Sequence, residues 1–337
     1  MNSLEGHVKS LHHVSVGVEG AQEDIDFMRR QLGFRFIKAT VLFDGTLPVY
    51  HLYYADRVGS AGTVFTTFPW KQWGLTGRKG SGQIKRTAFS APVASIDRWY
   101  KRLVDAGVTV FDMEERLGAP FFAFQNPAGL DMEIIGAEDT REPWLSDGVD
   151  DPDMAIRGLH SVVLSVQDAD TMIGFLETFG FRVTGQERRY TRLVVGDGGP
   201  GKTVELVHEP TLAPGTWRHA SGLHHHFALR VDTEAEQAAI KEQLVGEGYV
   251  DFSEVKDRFY FSSIYVRSPG GILVEFATRP TPEDLPGSVG WLRDESPHEL
   301  GSNLQIPPWW QDRRDELVSQ LEPITLASPV PADTSRG

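Results

Sequence analysis

Two histidines and one glutamate in this chain stand where a metal ion could be held. His13 lies in LHHVSVGV (11–18), His226 in SGLHHHFALRV (221–231) and Glu275 in SPGGILVEFAT (268–278). Each sits in a stretch that alternates apolar and polar residues, the pattern of a half-buried strand. Histidine is a middling strand former, so packing alone is a poor reason for three in a row at 224–226. The chain has no cysteine, which leaves imidazole and carboxylate to bind any metal. Two imidazoles and a carboxylate on one face of an ion form the facial triad of non-haem Fe(II) oxygenases. That arrangement leaves the opposite face open to two small ligands at once. The same donors suit Mn, Zn and Ni, so donor type alone does not select iron.

The elements that must position these residues repeat. LHHVSVGV is matched by LHSVVLSV (159–166), and each is followed by a helical segment ending in Gly-Phe, at Gly33 and Gly180. A glycine just past the last turn is a common helix stop. Counting back 20 residues from each glycine pairs His13 with His160. A second repeat pairs FSAPVASIDRWYKRLVDAGV (89–108) with FALRVDTEAEQAAIKEQLVGEGY (227–249). NPAGLDMEIIGA (126–137) likewise matches SPGGILVEFAT, which aligns Glu133 with Glu275. The chain therefore reads as four modules, each a strand, a helix and several strands, starting near 9, 87, 157 and 224. On this count module two carries Glu133 but Ala88 in place of His226, and module three carries His160 as a buried structural histidine. Joining modules one and four completes a triad, whereas two and three supply one histidine and one carboxylate. One centre is live and its twin degenerate.

The fold class is α+β. Residues 1–145 are expected to form an N-terminal two-module unit and 155–280 a C-terminal one, with the acidic, proline-containing strip 139–154 as linker. Residues 281–337 form a proline-rich extension with one amphipathic stretch, WQDRRDELVSQL, and a loose end.

Composition excludes several functions. The net charge of −14 over 337 residues repels phosphate backbones and anionic lipid, so neither nucleic acid nor a membrane is an expected partner. Without cysteine there are no disulfides, zinc–thiolate sites or iron–sulfur clusters. The N-terminus lacks the apolar segment of a signal peptide, and no run reaches the roughly 20 apolar residues that cross a bilayer. A cytoplasmic protein is expected. GDGGPGKT (196–203) fits the phosphate-binding pattern G-x-x-x-x-G-K-[ST], but that motif needs a helix after it. Here VELVH follows and TRLVV precedes, so the segment is expected to be a hairpin turn.

At these residues the sequence resembles the vicinal oxygen chelate superfamily, which includes glyoxalase I, bleomycin-resistance proteins and extradiol ring-cleaving dioxygenases. Its modules are βαβββ units, and the resemblance implies two domains built as curved mixed or antiparallel sheets. LHHVSVGV, VYHLYYADRVGSAGTVFTTFPW (49–70), LHHHFALRV and DRFYFSSIYVRSPGGILVEFATRP (257–280) are similar to the hydroquinone-cleaving dioxygenases of that superfamily. The resemblance implies an Fe(II) enzyme, with Mn(II) as the other candidate metal. It would insert both atoms of O2 into hydroquinone or a substituted, for example chlorinated, para-diol. It implies His13, His226 and Glu275 as metal ligands. His12, His225, Arg258 and Tyr265 become catalytic and substrate-binding groups, with Ser15 as a further substrate contact. His12 and His225 are expected to titrate near neutral pH and move protons. His224 has no task and is expected on the surface. Small aromatic substrate and O2 are the implied partners, and the chain is expected to form a homo-oligomer. Two features depart from the group: Ser15 replaces the usual threonine, and Leu47 and Pro48 stand in an unusual loop. A glyoxalase-like metal-dependent isomerase or lyase, and a non-catalytic ligand-binding protein of the same fold, are the alternative readings.

Overall fold

The structure, a computed structural model, describes residues 4–43, 47–146, 148–278, 290–326 and 328. Module one comprises β1 (Ser10–Val18), α1 (Ala21–Asp26), β2 (Arg35–Val41), β3 (Tyr50–Ala55) and β4 (Val64–Pro69). Module two comprises β5 (Gln83–Ala91), α2 (Ile96–Asp105), β6 (Val110–Arg116), β7 (Ala119–Gln125) and β8 (Asp131–Gly136). Module three comprises β9 (Gly158–Val166), α3 (Ala169–Glu177), β10 (Arg182–Glu187), β11 (Tyr190–Val194) and β12 (Thr203–His208). Module four comprises β13 (His224–Val231), α4 (Glu234–Gly246), β14 (Lys256–Asp257), β15 (Ser262–Arg267) and β16 (Leu273–Thr278). Each is a strand, a helix and three strands, as the repeats predict.

The modules pair across the chain. One curled eight-stranded sheet runs β14-β15-β16-β13-β1-β4-β3-β2 and the other β10-β11-β12-β9-β5-β8-β7-β6. Module one thus shares a sheet with module four, and module two with module three. The division into a 1–145 unit and a 155–280 unit does not follow the sheets, because each sheet takes strands from both segments. The first strands of partner modules join antiparallel, β1 to β13 and β5 to β9, which closes each cup.

Strand alternation decides what each cup contains. Val14, Val16 and Val18 on β1 are fully buried in the main core, each worth about 1.5–3 kcal/mol against exposure. His13 and Ser15 take the opposite face. On β4, Thr67 donates to Asp24 of α1 at 2.6 Å, and Tyr54 on β3 donates to the same carboxylate at 2.8 Å. The helix therefore covers the outer face, leaving residues of the other parity to the cup interior. Helix α4 begins in a capping box formed by Thr233 and Glu236, a reciprocal arrangement that satisfies two orphan amides. The GDGGPGKT segment is a turn between β11 and β12, with strands on both sides.

The register of the four first strands corrects two matches made by counting. In sheet one, His13 pairs with Ala228, and Ala228 pairs with Glu275. In sheet two, Ser161 pairs with Ala88, and Ala88 pairs with Glu133. Ala88 is therefore equivalent to Ala228, and Arg86, two residues earlier, stands where His226 does. Ser161 stands where His13 does, and His160 is equivalent to His12. Counting from Gly33 misplaced the match by one residue, because the first helix ends in a π-helical turn, Phe27–Gln31, which adds a residue relative to an α-helical turn.

Residues beyond 289 strap module one. Leu304 bridges to Ala39 of β2, and Trp291 Nε1 donates to the Gly59 carbonyl at 2.8 Å. The amphipathic stretch becomes α5 (Arg314–Gln320), with Leu317 buried. Lys38 on β2 has no exposed side chain and bridges Asp294 and Glu295 at 2.5 and 2.6 Å. Lys38→Met leaves the buried Glu295 without its cation, an imbalance worth about 3 kcal/mol. The expected result is a lower urea midpoint together with faster proteolysis of the strap. An unchanged midpoint would show that the strap is held by packing alone.

Candidate active site

Two β-bulges aim the histidines. Between Leu11 and His13 the pairing of β1 with β13 slips, so His12 is an extra residue; between Ser15 and Val16 it slips the other way, making His225 extra. Bulges re-aim side chains and cluster beside active sites. Neighbouring histidines on a regular strand point to opposite faces. Here His12 and His225 instead reach back to their own neighbours. His12 Nδ1 lies 2.9 Å from His13 Nδ1, and His225 Nδ1 lies 2.7 Å from His226 Nδ1. Each partner bond fixes a ring and its tautomer, leaving Nε2 of His13 and His226 to face one point.

Those two nitrogens and Glu275 Oε2 form a small triangle. His13 Nε2 is 3.2 Å from His226 Nε2, and Glu275 Oε2 is 3.3 Å from the first and 2.7 Å from the second. All three side chains are buried. Donors at about 2.0–2.2 Å from an ion, set at right angles, lie roughly 3 Å apart, which matches these separations. Oε2 has no well-aligned hydrogen-bond donor among the described residues despite its close neighbours, whereas Oε1 accepts from Ser263 Oγ. An unpaired carboxylate oxygen at full burial is costly, and a cation at the centre of the triangle would satisfy it. Burial alone would raise the Glu275 carboxyl, but His13 and His226 outweigh it and hold the group well below the usual carboxylate range. The donor set fits a divalent metal.

The triangle opens on a cavity of about 210 Å³. Phe43, Phe68, Phe261 and Leu273 give it apolar walls. An apolar cavity of about 150 Å³ accepts benzene, so a single substituted ring fits. Arg258 and Tyr265 line it, with Arg258 Nε donating to the Tyr265 hydroxyl at 3.1 Å. Burial, and then the Glu275 charge, push the Tyr265 phenol far above its ordinary value. It therefore stays protonated and can donate. Register places Tyr265 beside Glu275, which explains why these two residues share the cup.

Several expectations are corrected by this geometry. His12 and Ser15 do not line the cavity. His12 packs against Phe261 at 4.9 Å between ring centroids, while Ser15 Oγ is 2.7 Å from Thr66 Oγ1. Nor does either bulge histidine titrate near neutral: burial lowers His12 to about 3 and drives His225 well below its ordinary value. Burial favours the neutral form of both rings. His224 is not a surface residue. It is partly buried, its Nε2 lies 2.9 Å from Thr87 Oγ1 on β5, and it lines a separate cavity of about 230 Å³. The packing of β13 against β5 draws it inward. In the unusual loop, Leu42 and Phe43 line the cavity; residues 44–46 lie outside the described residues.

Two cavity residues escaped sequence reasoning. His51 on β3 is 2.9 Å from Thr66 Oγ1 through Nε2 and 2.7 Å from the Tyr53 hydroxyl through Nδ1. His219, in the loop before β13, stacks on His225 with centroids 3.3 Å apart. A signal for His51 was present: its parity along YHLYYA matches Tyr53, so both face one side of the strand. Nothing in the loop sequence marked His219.

The second cup holds a different centre. Glu133 occupies the place of Glu275, and Glu205 that of Thr66, since Val163 pairs with Glu205 as Ser15 pairs with Thr66. Arg116 bridges them, with Nη2 at 2.8 Å from Glu133 Oε2 and 2.6 Å from Glu205 Oε2. Arg86 Nε is 2.7 Å from Glu133 and Arg192 Nη2 is 2.7 Å from Glu205. Among the described residues, His13, His226 and Glu275 form the one cluster of metal-ligand geometry.

Comparison with known proteins gives matches over nearly the whole chain. The model of the Glyoxalase/Bleomycin resistance protein/Dioxygenase superfamily matches residues 158–276. A chlorohydroquinone/hydroquinone 1,2-dioxygenase of Sphingobium indicum is 37% identical over 97% of this chain and 100% of its own length. A solved Bacillus subtilis structure, titled a "putative dioxygenase", superposes with a TM-score of 0.85 at 31% identity, over 95% of this chain and 99% of that one. Glyoxalase I from Zea mays superposes with a TM-score of 0.60 at 13% identity, over 80% of this chain and 92% of that one, a likeness of fold alone.

Proposed function

The chain belongs to the ring-cleaving dioxygenases of the glyoxalase/bleomycin resistance protein/dioxygenase superfamily, and from that premise we propose that it uses Fe(II) to cleave hydroquinone or a substituted para-diol. The observation that carries this reading is the buried triangle of His13, His226 and Glu275 at the floor of a ring-sized cavity. The 37% identical relative acts on hydroquinone and chlorohydroquinone, as its name states. In this reading His13, His226 and Glu275 would hold the metal, and a metal bound there would supply Lewis acidity and activation of O2 towards a phenolic substrate. Fe(II) is preferred over Mn(II) because the facial triad with open positions is the arrangement of non-haem Fe(II) oxygenases.

The chain's own groups then orient and neutralise. Phe43, Phe68 and Phe261 exclude water from the ring. Arg258 presents a permanent cation where negative charge develops on oxygen. Tyr265, kept protonated by its surroundings, donates a hydrogen bond to an oxygen beside Glu275. His12 and His225 lock the ligand rings, and Ser15 holds Thr66, which in turn bonds His51. Arg258→Met is expected to lower kcat/KM about 100-fold with iron content unchanged. Steady-state oxygen uptake with parallel metal analysis checks this, and an unaltered rate would remove Arg258 from the chemistry.

The reading is tested by loading the protein with Fe(II) under anaerobic conditions and following oxygen uptake on adding hydroquinone, with Mn(II)- and Zn(II)-loaded samples beside it. Uptake confined to the iron sample supports it. No uptake with any hydroquinone or catechol at full iron occupancy overturns it. A glyoxalase-like isomerase would call for a fourth protein ligand. The position in module one equivalent to Glu275 is Thr66, already bonded to Ser15 and His51, which argues against that chemistry.

A further inference from the structure

His219 is the imidazole of the cavity wall that lacks a partner. His13, His51, His225 and His226 each bond another side chain through a ring nitrogen. His219 Nδ1 is buried and has no hydrogen-bond partner among the described residues. The ring is clamped face to face against His225 at 3.3 Å and edge-on to Phe68 at 5.1 Å. A buried polar atom left unpaired costs about 1–3 kcal/mol, and such groups call for an explanation. The imidazole χ2 torsion is broad and roughly two-fold, so a half-turn within the stack changes which nitrogen is offered to the cavity.

Its position along the cup supplies that explanation. Register puts Thr66 level with Ser15, and Ser15 level with His226. Phe68 is two residues further along β4, about 7 Å away. His219 packs against Phe68 and against Trp70, the latter at 5.4 Å. It also stacks on His225, which bonds His226 of the triangle, so it stands beyond the triangle on the same wall. A ring whose first hydroxyl lies at the triangle would bring a para hydroxyl to His219. An ortho hydroxyl would remain beside the triangle, and a monophenol would leave His219 unpaired.

Resting on the para-diol reading above, we propose that His219 is a specificity-determining residue that hydrogen-bonds the distal hydroxyl of the substrate and so selects para-diols over catechols and monophenols. The experiment is an anaerobic titration of the Fe(II)-loaded protein with hydroquinone, catechol and phenol, followed by tryptophan fluorescence. Without oxygen it measures binding alone. Wild-type protein is expected to prefer hydroquinone to phenol by about tenfold. His219→Phe keeps the stacked ring and removes the hydrogen bond; it is expected to erase the preference by weakening hydroquinone, with iron content and phenol binding unchanged. His219→Gln, which can still bond, is expected to restore part of it. A preference retained in His219→Phe overturns the assignment. Should that variant not fold, the wild-type protein still decides, because equal affinity for hydroquinone and phenol also overturns it. If the wild-type protein binds none of the three, the para-diol reading fails first and takes this inference with it.

Discussion

Glu275→Gln protein is expected to fold, to purify with almost no bound iron and to take up no oxygen when hydroquinone is added. The substitution keeps the shape of the side chain and the Ser263 contact at the first oxygen. It removes the charge at the second oxygen, which lies within 3.3 Å of both Nε2 atoms. Outer groups around a metal typically cost 10–100-fold in affinity when changed, so losing the one anionic ligand should cost more, about 10³-fold. Folding should survive, because the glutamine amide can donate to a histidine nitrogen that the metal no longer occupies. Metal analysis, oxygen uptake and thermal unfolding on the same preparation separate these effects. His226→Ala should reproduce the loss of iron, and adding imidazole should restore part of it, whereas a general folding defect would not respond. Full iron occupancy in Glu275→Gln would mean the metal is held elsewhere, and the function argued from the triangle would go with it.

Much of this centre was legible because it lies on strands. His13 and Glu275 stand in alternating stretches whose parity can be read by eye, and the repeat of βαβββ units gave the number and order of elements. Repetition could not say which modules share a sheet. Adjacent modules were grouped along the chain, whereas the pairing crosses it, because the antiparallel union of β1 with β13 depends on contacts more than 200 residues apart in sequence. The bulges were equally hidden. One extra residue reverses the face of everything beyond it, and a π turn adds one residue to a helix. The π turn is how His160 came to be matched with His13, whereas Ala88 was matched with His226 by setting FSAP against FALR, two residues out of the register the strands adopt. His219 lay beyond reach for another reason: a loop has no periodicity, so only the fold shows that it meets the cavity.

The second cup yields the other large expected effect. Arg116 and Arg258 are separated by 142 residues, the same interval as Glu133 and Glu275, and each precedes a non-glycine residue in the left-handed region, Leu117 at φ 51° and Phe259 at φ 63°. They are one residue of the repeat put to two uses. In the first cup Arg258 turns to Tyr265 rather than across Glu275. In its twin, Arg116 lies across Glu133 and Glu205, so a guanidinium bridges the carboxylates at the position corresponding to the metal triangle. With Ser161 and Arg86 in the places of His13 and His226, this cup keeps its anions and supplies its own cations. Arg116→Met should then destabilise the protein by about 4 kcal/mol, since removing one partner from a buried charge cluster leaves an uncompensated carboxylate. Arg86 and Arg192 still reach one carboxylate each, which keeps the loss short of collapse. Denaturant unfolding measures the effect. Metal content should stay at that of the wild type, because two carboxylates flanked by two arginines repel a divalent ion. Unchanged stability, or a second equivalent of bound metal, would show that Arg116 does not do a metal's work there.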